Sequence, residues 1–417
     1  MRFIKKLIPS PLLSLYHLLW AYGGAFVYGN PSHKLYVVGV TGTKGKSTTT
    51  ELVAAILRAA GHKVAVASTI HFVINDEVQP NLYKMTMPGR ARLQKFLYDA
   101  LSAGCTHAVI EMTSEGAKQY RHAGIELDAL VFTNLQPEHL ESHGGMEAYA
   151  NAKLQLARAL ERSRKRPRVV VANADDPYGE KFLEAQVEVR APFRLADAEP
   201  YTADEHSARF VWRKGEVCTV PLPGLFNLRN ALAALVLGEA MGIPLATIKK
   251  GLESVRPIAG RQQRIECGQP FTVIVDNAHT PDSLKALFET FKHRRCIGLI
   301  GSMGGGRDTW NRPEKGKVAD TCCEVVVISD EDPCDEDPQE ILREIAAGVA
   351  LKKPLVILDR RDAIRAALEE AKPGDVVLLT GKGTDPYILR AKGVREPWSD
   401  ANVAKQELEK LGYASSK

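Results

Sequence analysis

The apolar run Leu35-Tyr36-Val37-Val38 passes directly into Gly39-Val40-Thr41-Gly42-Thr43-Lys44-Gly45-Lys46-Ser47-Thr48-Thr49-Thr50. A buried strand, a glycine turn and a helix start in that order confine this part of the chain to an α/β sheet with a crossover helix. The glycines let backbone N–H groups close around a polyphosphate at the positive end of the new helix. Lys46 is placed to reach the outer phosphates, and the Ser47 hydroxyl suits Mg²⁺. The general phosphate-loop pattern G-x-x-x-x-G-K-[ST] asks for glycine at position 40, where this chain has Val40. The stretch Thr41-Gly42-Thr43-Lys44-Gly45-Lys46-Ser47 is therefore a narrower variant.

Around this loop the pattern of the chain repeats. Apolar runs at 64–67, 108–110, 130–132 and 169–172 read as buried parallel strands, with helical patterns at 48–60, 90–103 and 146–162 between them. Residues 189–223 alternate in short stretches and predict a small antiparallel addition, and 227–241 predict an Ala- and Leu-rich helix. Near Arg256-Pro257-Ile258-Ala259-Gly260 the alternation restarts. Strands are expected at 272–275, 297–300, 325–328, 355–358 and 376–379, with helices at 281–293, 313–321, 338–350 and 361–371. The expected division is a short N-terminal segment (1–34), a central phosphate-loop domain with a doubly wound, mostly parallel sheet (35–256) and a C-terminal Rossmann-like α/β domain (257–417). A length of 417 residues suits more than one core.

A net charge of +5 over this length does not mark a nucleic-acid binder. The run Arg162-Ser163-Arg164-Lys165-Arg166-Pro167-Arg168 has no interleaved aromatics and reads as a solvated loop. Seven cysteines without a C-x-x-C pair argue against a disulfide framework or zinc site and for a reducing cytosol. The N-terminus joins a basic start, Met1-Arg2-Phe3-Ile4-Lys5-Lys6, to a mostly apolar, aromatic stretch at 12–28. That stretch is short for a spanning helix, and an ATP-type loop follows closely. It predicts a helix packed on the following domain. Peripheral membrane contact is the alternative, and a membrane anchor comes third.

Strand 108–110 ends in Glu111-Met112-Thr113-Ser114-Glu115, and ligands of open α/β sheets lie at such strand ends. Next come Thr133-Asn134-Leu135 and the polar loop Glu138-His139-Leu140-Glu141-Ser142-His143-Gly144. Lys153 sits in a helix of alanines and leucines. Together with the glycine loop, these motifs resemble, in order and spacing, the central domain of the Mur ligases. The MurE-type UDP-N-acetylmuramoyl-peptide synthetases are the nearest type. The resemblance continues through Gly224-Leu225-Phe226-Asn227-Leu228-Arg229-Asn230, Gly260-Arg261 and Asp276-Asn277-Ala278-His279-Thr280-Pro281. It ends with Gly304-Gly305-Gly306-Arg307-Asp308 and Gly381-Lys382-Gly383.

The resemblance implies a cytoplasmic, ATP- and Mg²⁺-dependent ligase. A substrate carboxylate attacks the γ-phosphate, and an amino acid's amine then displaces phosphate from the acyl phosphate. It implies catalytic roles for Lys46, His139 and a carbamylated Lys153. Nucleotide would be held by Gly42, Thr43, Lys44, Gly45, Lys46, Ser47, Thr48, Asn134, Asn227, Asn230, Arg261, Asp276 and His279, and metal by Ser47, Glu111 and His139. On the substrate side it points to Thr86, Ser114, Arg307, Asp332, Cys334, Gly381 and Asp385.

That side also departs from the family. Thr86-Met87-Pro88 replaces Thr-Thr-Pro, and Glu115 stands where His is usual. Glu331-Asp332-Pro333-Cys334 replaces the Asp-Asn-Pro-Arg whose arginine grips meso-diaminopimelate, and Thr384-Asp385 replaces His-Glu. Diaminopimelate specificity is therefore not expected. The acidic run 330–337 either favours a basic side chain such as lysine or caps the helix from Pro338. About 34 residues precede the first strand, too few for a separate UDP-binding domain, so an acceptor without UDP, or one presented by a partner protein or a membrane, is expected. Two other readings remain: a ligase of another poly-amino-acid, as in folylpolyglutamate or cyanophycin synthetases, and a nucleotide-binding partner without catalysis.

Overall fold

The computed structural model describes residues 10–89 and 91–413. The basic start Met1–Lys6, Pro9 and Arg90 lie outside the described residues.

The first sheet has eight strands: β1 (Tyr36–Thr41), β2 (Val64–Ala67), β3 (His71–Ile74), β4 (Glu77–Pro80), β5 (His107–Glu111), β6 (Ala129–Phe132), β7 (Val169–Asn173) and β8 (Val189–Phe193). Their order is β4-β3-β2-β5-β1-β6-β7-β8, parallel from β2 to β8, with β3 and β4 antiparallel at one edge. The alternating apolar runs become neighbouring, almost wholly buried strands because both faces are covered. Helices Lys46–Ala59 and Leu225–Ala240 close one face, and Arg92–Ser102 and Met146–Arg162 lie in the core on the other. Leu225–Ala240 is apolar nearly all round and correspondingly buried. After β1 the chain crosses to β2 on one side, and β6 returns on the other side of β1. The order therefore reverses at β1, which opens a crevice at the C-terminal ends of β5, β1 and β6.

Residues 189–223 differ from the expected antiparallel addition in one respect. Val189–Phe193 pairs parallel with β7 and extends the main sheet. Only β9 (Tyr201–Ala203), β10 (Ala208–Trp212) and β11 (Glu216–Val220) form the small antiparallel sheet. The alternation of exposed and covered positions in β8 is that of an edge strand, which resembles a hairpin strand in sequence. The basic run 162–168 is also less solvated than expected. Lys165 pairs with Asp128 at 2.6 Å, and the largely buried Arg168 with Glu188 at 2.8 Å.

The second sheet contains β12 (Gln263–Ile265), β13 (Thr272–Val275), β14 (Cys296–Ile300), β15 (Val325–Ile328), β16 (Leu355–Val356) and β17 (Val376–Leu379). Its order is β12-β13-β17-β14-β15-β16, parallel apart from β12. Two apolar cores, one containing Ile297, Leu299 and Ile364 and the other Leu284, Phe288 and Ile345, pack on it. Thr280 caps helix Pro281–Thr290 through a reciprocal box with Ser283, a device worth about 1 kcal/mol, and so fixes the preceding His279. Short pieces escaped the sequence reading: the β3–β4 hairpin, the pair Tyr387–Leu389 and Arg395–Pro397, and helices Leu245–Glu253 and Asp400–Lys410.

Candidate active site between the two sheets

The glycine loop is held open by what surrounds it. Gly42 has φ 148°, and a Cβ there would stand 1.9 Å from Thr133 Oγ1. Gly45 has φ 80°, and a Cβ there would stand 2.1 Å from Asn230 Oδ1. Glycine is therefore required at both positions by backbone shape and by space. Gly45 is also the N-cap of helix Lys46–Ala59 and offers no side-chain cap, so the first N–H groups of that helix face the crevice. Asn134 steadies the loop twice: its Oδ1 accepts from Lys44 N at 2.9 Å and its Nδ2 donates to Lys44 O at 3.0 Å. Lys46 Nζ donates to Thr43 O at 2.8 Å. Desolvation in the crevice pushes the Lys46 ammonium down from its usual value, while Glu111 and Glu138 pull it back. A polyphosphate would supply the counter-charge that an N-terminal helix end and a desolvated lysine lack.

At the end of β5, Glu111 is buried and accepts from Ser47 Oγ at 2.9 Å, from Thr69 N at 2.8 Å and from Thr69 Oγ1 at 3.0 Å. Thr69 Oγ1 lies 2.7 Å from Thr86 Oγ1. Arg261, from the other sheet's side, donates to Ser47 Oγ at 3.2 Å. The hydroxyl and carboxylate are hard oxygen donors of the kind Mg²⁺ takes. Among the described residues no group of three His, Cys, Asp or Glu could bind a metal. Such a hydroxyl and carboxylate pair suits an ion that keeps waters and phosphate oxygens as its other ligands. His139, also assigned to metal by its motif, has φ 57° and a 43% exposed side chain directed toward Asp308, with Nδ1 at 3.7 Å from Asp308 Oδ2.

Lys153 is buried, 1% exposed, and donates to Gly42 O at 2.6 Å. Burial holds its pKa well below the usual lysine range, and Lys46 and Lys44 add to the depression. Glu138 joins the two halves of the site. It accepts from Lys44 at 2.9 Å and contacts His279 Nε2 at 2.7 Å. Burial pushes Glu138 upward, but Lys44 and then His279 outweigh it and keep the carboxyl well below its usual range. Asp276, raised by burial, accepts from Gln262 N and Ala278 N, both at 2.7 Å.

A cavity of about 690 Å³ brings together Thr43, Lys44, Gly45, Lys46, Ser47, Thr48, Thr86, Glu111, Asn134, His139, Asn227, Asn230, Arg261, Asp276 and His279. Gly42 and Lys153 lie directly behind the loop. The remaining predicted residues do not line this cavity. Ser114 is buried in the first turn of helix Ser114–Lys118. Arg307 is exposed beside Met303, and Cys334 has φ 57° and donates its N–H to Leu389 O.

Asp332 and Asp385 gather in a recess of their own around Lys84 and Lys382, while Gly381 lies against Glu331. Asp332 is buried and accepts from Lys382 Nζ at 3.0 Å and Leu389 N at 2.6 Å, and it pairs with Lys84 of the first half. Lys84 also pairs with Asp385 at 2.8 Å and lies 5.0 Å from the centre of the Tyr387 ring. Burial pushes the Lys84 ammonium down, but Asp385 and Asp332 together raise it. The rest of the acidic run is divided: Asp330 pairs with Arg390, and Asp337 caps helix Pro338–Ala346.

Sequence reasoning left out Thr69, Glu138 and Lys84 as site residues. Thr69 follows strand 64–67 at its C-terminal end, which was a usable signal. Nothing in the local sequence marks Lys84, because its partners are 248 and 301 residues away, from 332 − 84 and 385 − 84.

A helix end and a lysine facing an oxygen-donor pair, walled by an arginine and a carboxylate from a second α/β unit, define a nucleotide-dependent phosphoryl-transfer enzyme. The chain belongs to the Mur ligases: the Mur ligase middle domain matches residues 40–238 and the Mur ligase glutamate ligase domain residues 260–383. It is accordingly an ATP-dependent enzyme that forms C–N bonds, and its relatives need Mg²⁺. It is 39% identical to the UDP-N-acetylmuramyl-tripeptide synthetase of Roseiflexus sp., over 93% of this chain and 81% of that one. It is 35% identical to the UDP-N-acetylmuramoyl-L-alanyl-D-glutamate–2,6-diaminopimelate ligase of Geobacillus kaustophilus, over 92% and 81%. A solved structure of a ligase of the latter name superposes with a TM-score of 0.62 at 27% identity, covering 95% of this chain and 84% of that chain. No helix among the described residues is long and apolar enough to cross a membrane.

Proposed function

We propose that this protein joins an amino acid to the terminal carboxylate of a muramoyl-peptide-type acceptor in the cytoplasm, as a step of cell-wall peptide synthesis. The observation that carries the reading is the contact chain Ser47–Glu111–Thr69–Thr86, which links the phosphate loop to the predicted acceptor loop in hydrogen-bond steps. In this reading the acceptor carboxylate lies near Thr86 and attacks the γ-phosphate of ATP held by Lys46 and the helix end. Negative charge spreading over the transferred group is met by Lys46 and Arg261. Asp276 and His279 face the nucleoside. Mg²⁺, when bound, offsets phosphate charge at Ser47 and Glu111.

Lys153 is carbamylated in this reading. Burial pushes the Lys153 amine well below the usual lysine range, which favours the unprotonated form that is a nucleophile toward CO₂, and the product is a carboxylate behind Gly42 in place of the amine. The amine enters from the recess of Asp332, Lys382 and Asp385. The ammonium of an incoming basic side chain can take the place of Lys84 beside Asp332 and Asp385, which favours such an amino acid over meso-diaminopimelate. Whether the acceptor carries UDP is read by the same test. Phosphate release is measured for a panel of amino acids against UDP-linked and UDP-free muramoyl dipeptides. Release that requires both a muramoyl dipeptide and an amino acid supports the reading, and release indifferent to either refutes it.

A further inference from the structure

We infer that helix Ser10–Val27 is a docking element for an anionic lipid bilayer, which holds the catalytic body at a membrane surface. The helix contains no Asp, Glu, Lys or Arg, and its side chains are distributed the wrong way round for a helix packed only on its own protein. Its small residues face inward. Ala21 and Ala25 are buried, a Cβ on Gly24 would stand 2.7 Å from that of Ala91, and one on Gly124 would stand 2.9 Å from Ala25.

Its large residues face outward. Leu12, Leu15, Tyr16, Leu19, Trp20, Tyr22, Phe26 and Val27 are exposed, Leu19 by 65% and Phe26 by 81%. Their spacing of three and four residues puts them on one face of a 3.6-residue helix. A face of this kind marks an interaction site rather than scattered surface apolarity.

Two observations select a bilayer as the occupant. The first is charge. Residues 1–34 contain Arg2, Lys5, Lys6 and Lys34 and no carboxylate, the first acidic residue of the chain being Glu51. An uncharged aromatic face flanked by cations complements an anionic headgroup layer. The second is the mixture of Trp20, Tyr16 and Tyr22 with leucines, because amphipathic rings suit the interfacial zone. The loop that ends against Gly24 at Ala91 also exposes large apolar residues, Leu82, Tyr83 and Met85.

The inference stands apart from the ligase reading, because binding is measured without substrate. The full chain is floated with phosphatidylcholine vesicles, with and without phosphatidylglycerol. The wild type is expected to float with the anionic vesicles and much less with the neutral ones. Arg2→Gln/Lys5→Gln/Lys6→Gln should weaken partition on the order of a hundredfold, at about 1 kcal/mol per charge near the surface. Leu19→Glu/Trp20→Glu/Phe26→Glu should abolish flotation while leaving thermal melting and turnover of soluble substrates unchanged. Wild-type protein that stays in the unbound fraction with anionic vesicles overturns the inference. So does a wild-type dimer that the triple glutamate variant dissolves in sedimentation without any vesicle binding, which would assign the face to a second copy.

Discussion

Replacing Lys153 by alanine removes one hydrogen bond to Gly42 O, the amine and three methylenes from a buried site. The lost hydrogen bond is worth about 1 kcal/mol of stability. Relief of the desolvation that already depresses the amine offsets part of it. Folding should therefore survive. Activity should not: the carbamate would supply an anionic oxygen that helps hold the cation offsetting phosphate charge, and loss of one such preorganised electrostatic element costs about 3–4 kcal/mol, or roughly a hundred- to a thousandfold in kcat. The assay is phosphate release with acceptor and amino acid, run with and without formate or acetate, which can enter the vacated space and return the carboxylate. Two further variants separate charge from shape. Lys153→Glu should keep more activity than Lys153→Arg, because the first supplies an anion and the second a cation. Isotopically labelled bicarbonate should give a carbamate resonance in the wild type that Lys153→Ala lacks. Wild-type rates in Lys153→Ala, or an arginine variant that outperforms the glutamate variant, would refute the reasoning.

Glu111→Gln should raise the Mg²⁺ concentration for half-maximal rate on the order of a hundredfold while melting changes little, since the amide still accepts from Ser47 and Thr69; a metal titration of turnover checks it. Lys84→Met should cost about 1–2 kcal/mol in thermal melting, because Asp332 keeps Lys382 and Leu389 N as partners. The same variant should increase the kcat/KM preference for lysine over norleucine, whose side chain lacks the ammonium that would replace Lys84; a fallen ratio would remove the recess from the amine path. His107 and His122 are each lowered from 6.5 to about 4, His107 by burial and then His62, His122 by burial and then Arg162. The folded state therefore binds fewer protons than the unfolded chain between those values. Stability from these groups is complete above about 6.5 and lost as pH falls toward about 4, by up to about 3 kcal/mol per histidine. Melting temperature against pH should be flatter over that window in His107→Asn/His122→Asn than in the wild type.

The parallel strands were legible because strands covered on both faces carry unbroken apolar runs, as at Val64–Ala67 and Val376–Leu379. The glycine loop was legible because Gly42 and Gly45 have no substitute at their φ angles and contacts. Edge elements were harder. Val189–Phe193 alternates because one side is open, and β4 is exposed at every position, so neither carries the apolar signal of its sheet. In the site, Ser47, Glu111 and Asn134 sit where strand-end reasoning placed them, around the end of β1. The recess of Asp332, Lys382 and Lys84 could not be read from sequence. Its pairings depend on how two sheets far apart in sequence meet, and an acidic run offers the same letters whether it caps a helix, as Asp337 does, or buries an ion pair, as Asp332 does.

The central claim is that the acceptor carboxylate attacks the γ-phosphate of ATP and that the amine then displaces phosphate. The most direct measurement uses an acceptor whose terminal carboxylate carries heavy oxygen, with ATP, Mg²⁺ and amino acid, and follows the label by mass spectrometry of the released phosphate. The account predicts one labelled oxygen in the phosphate for each amide formed, and no transfer in Lys46→Ala. Unlabelled phosphate accompanying amide formation would contradict it.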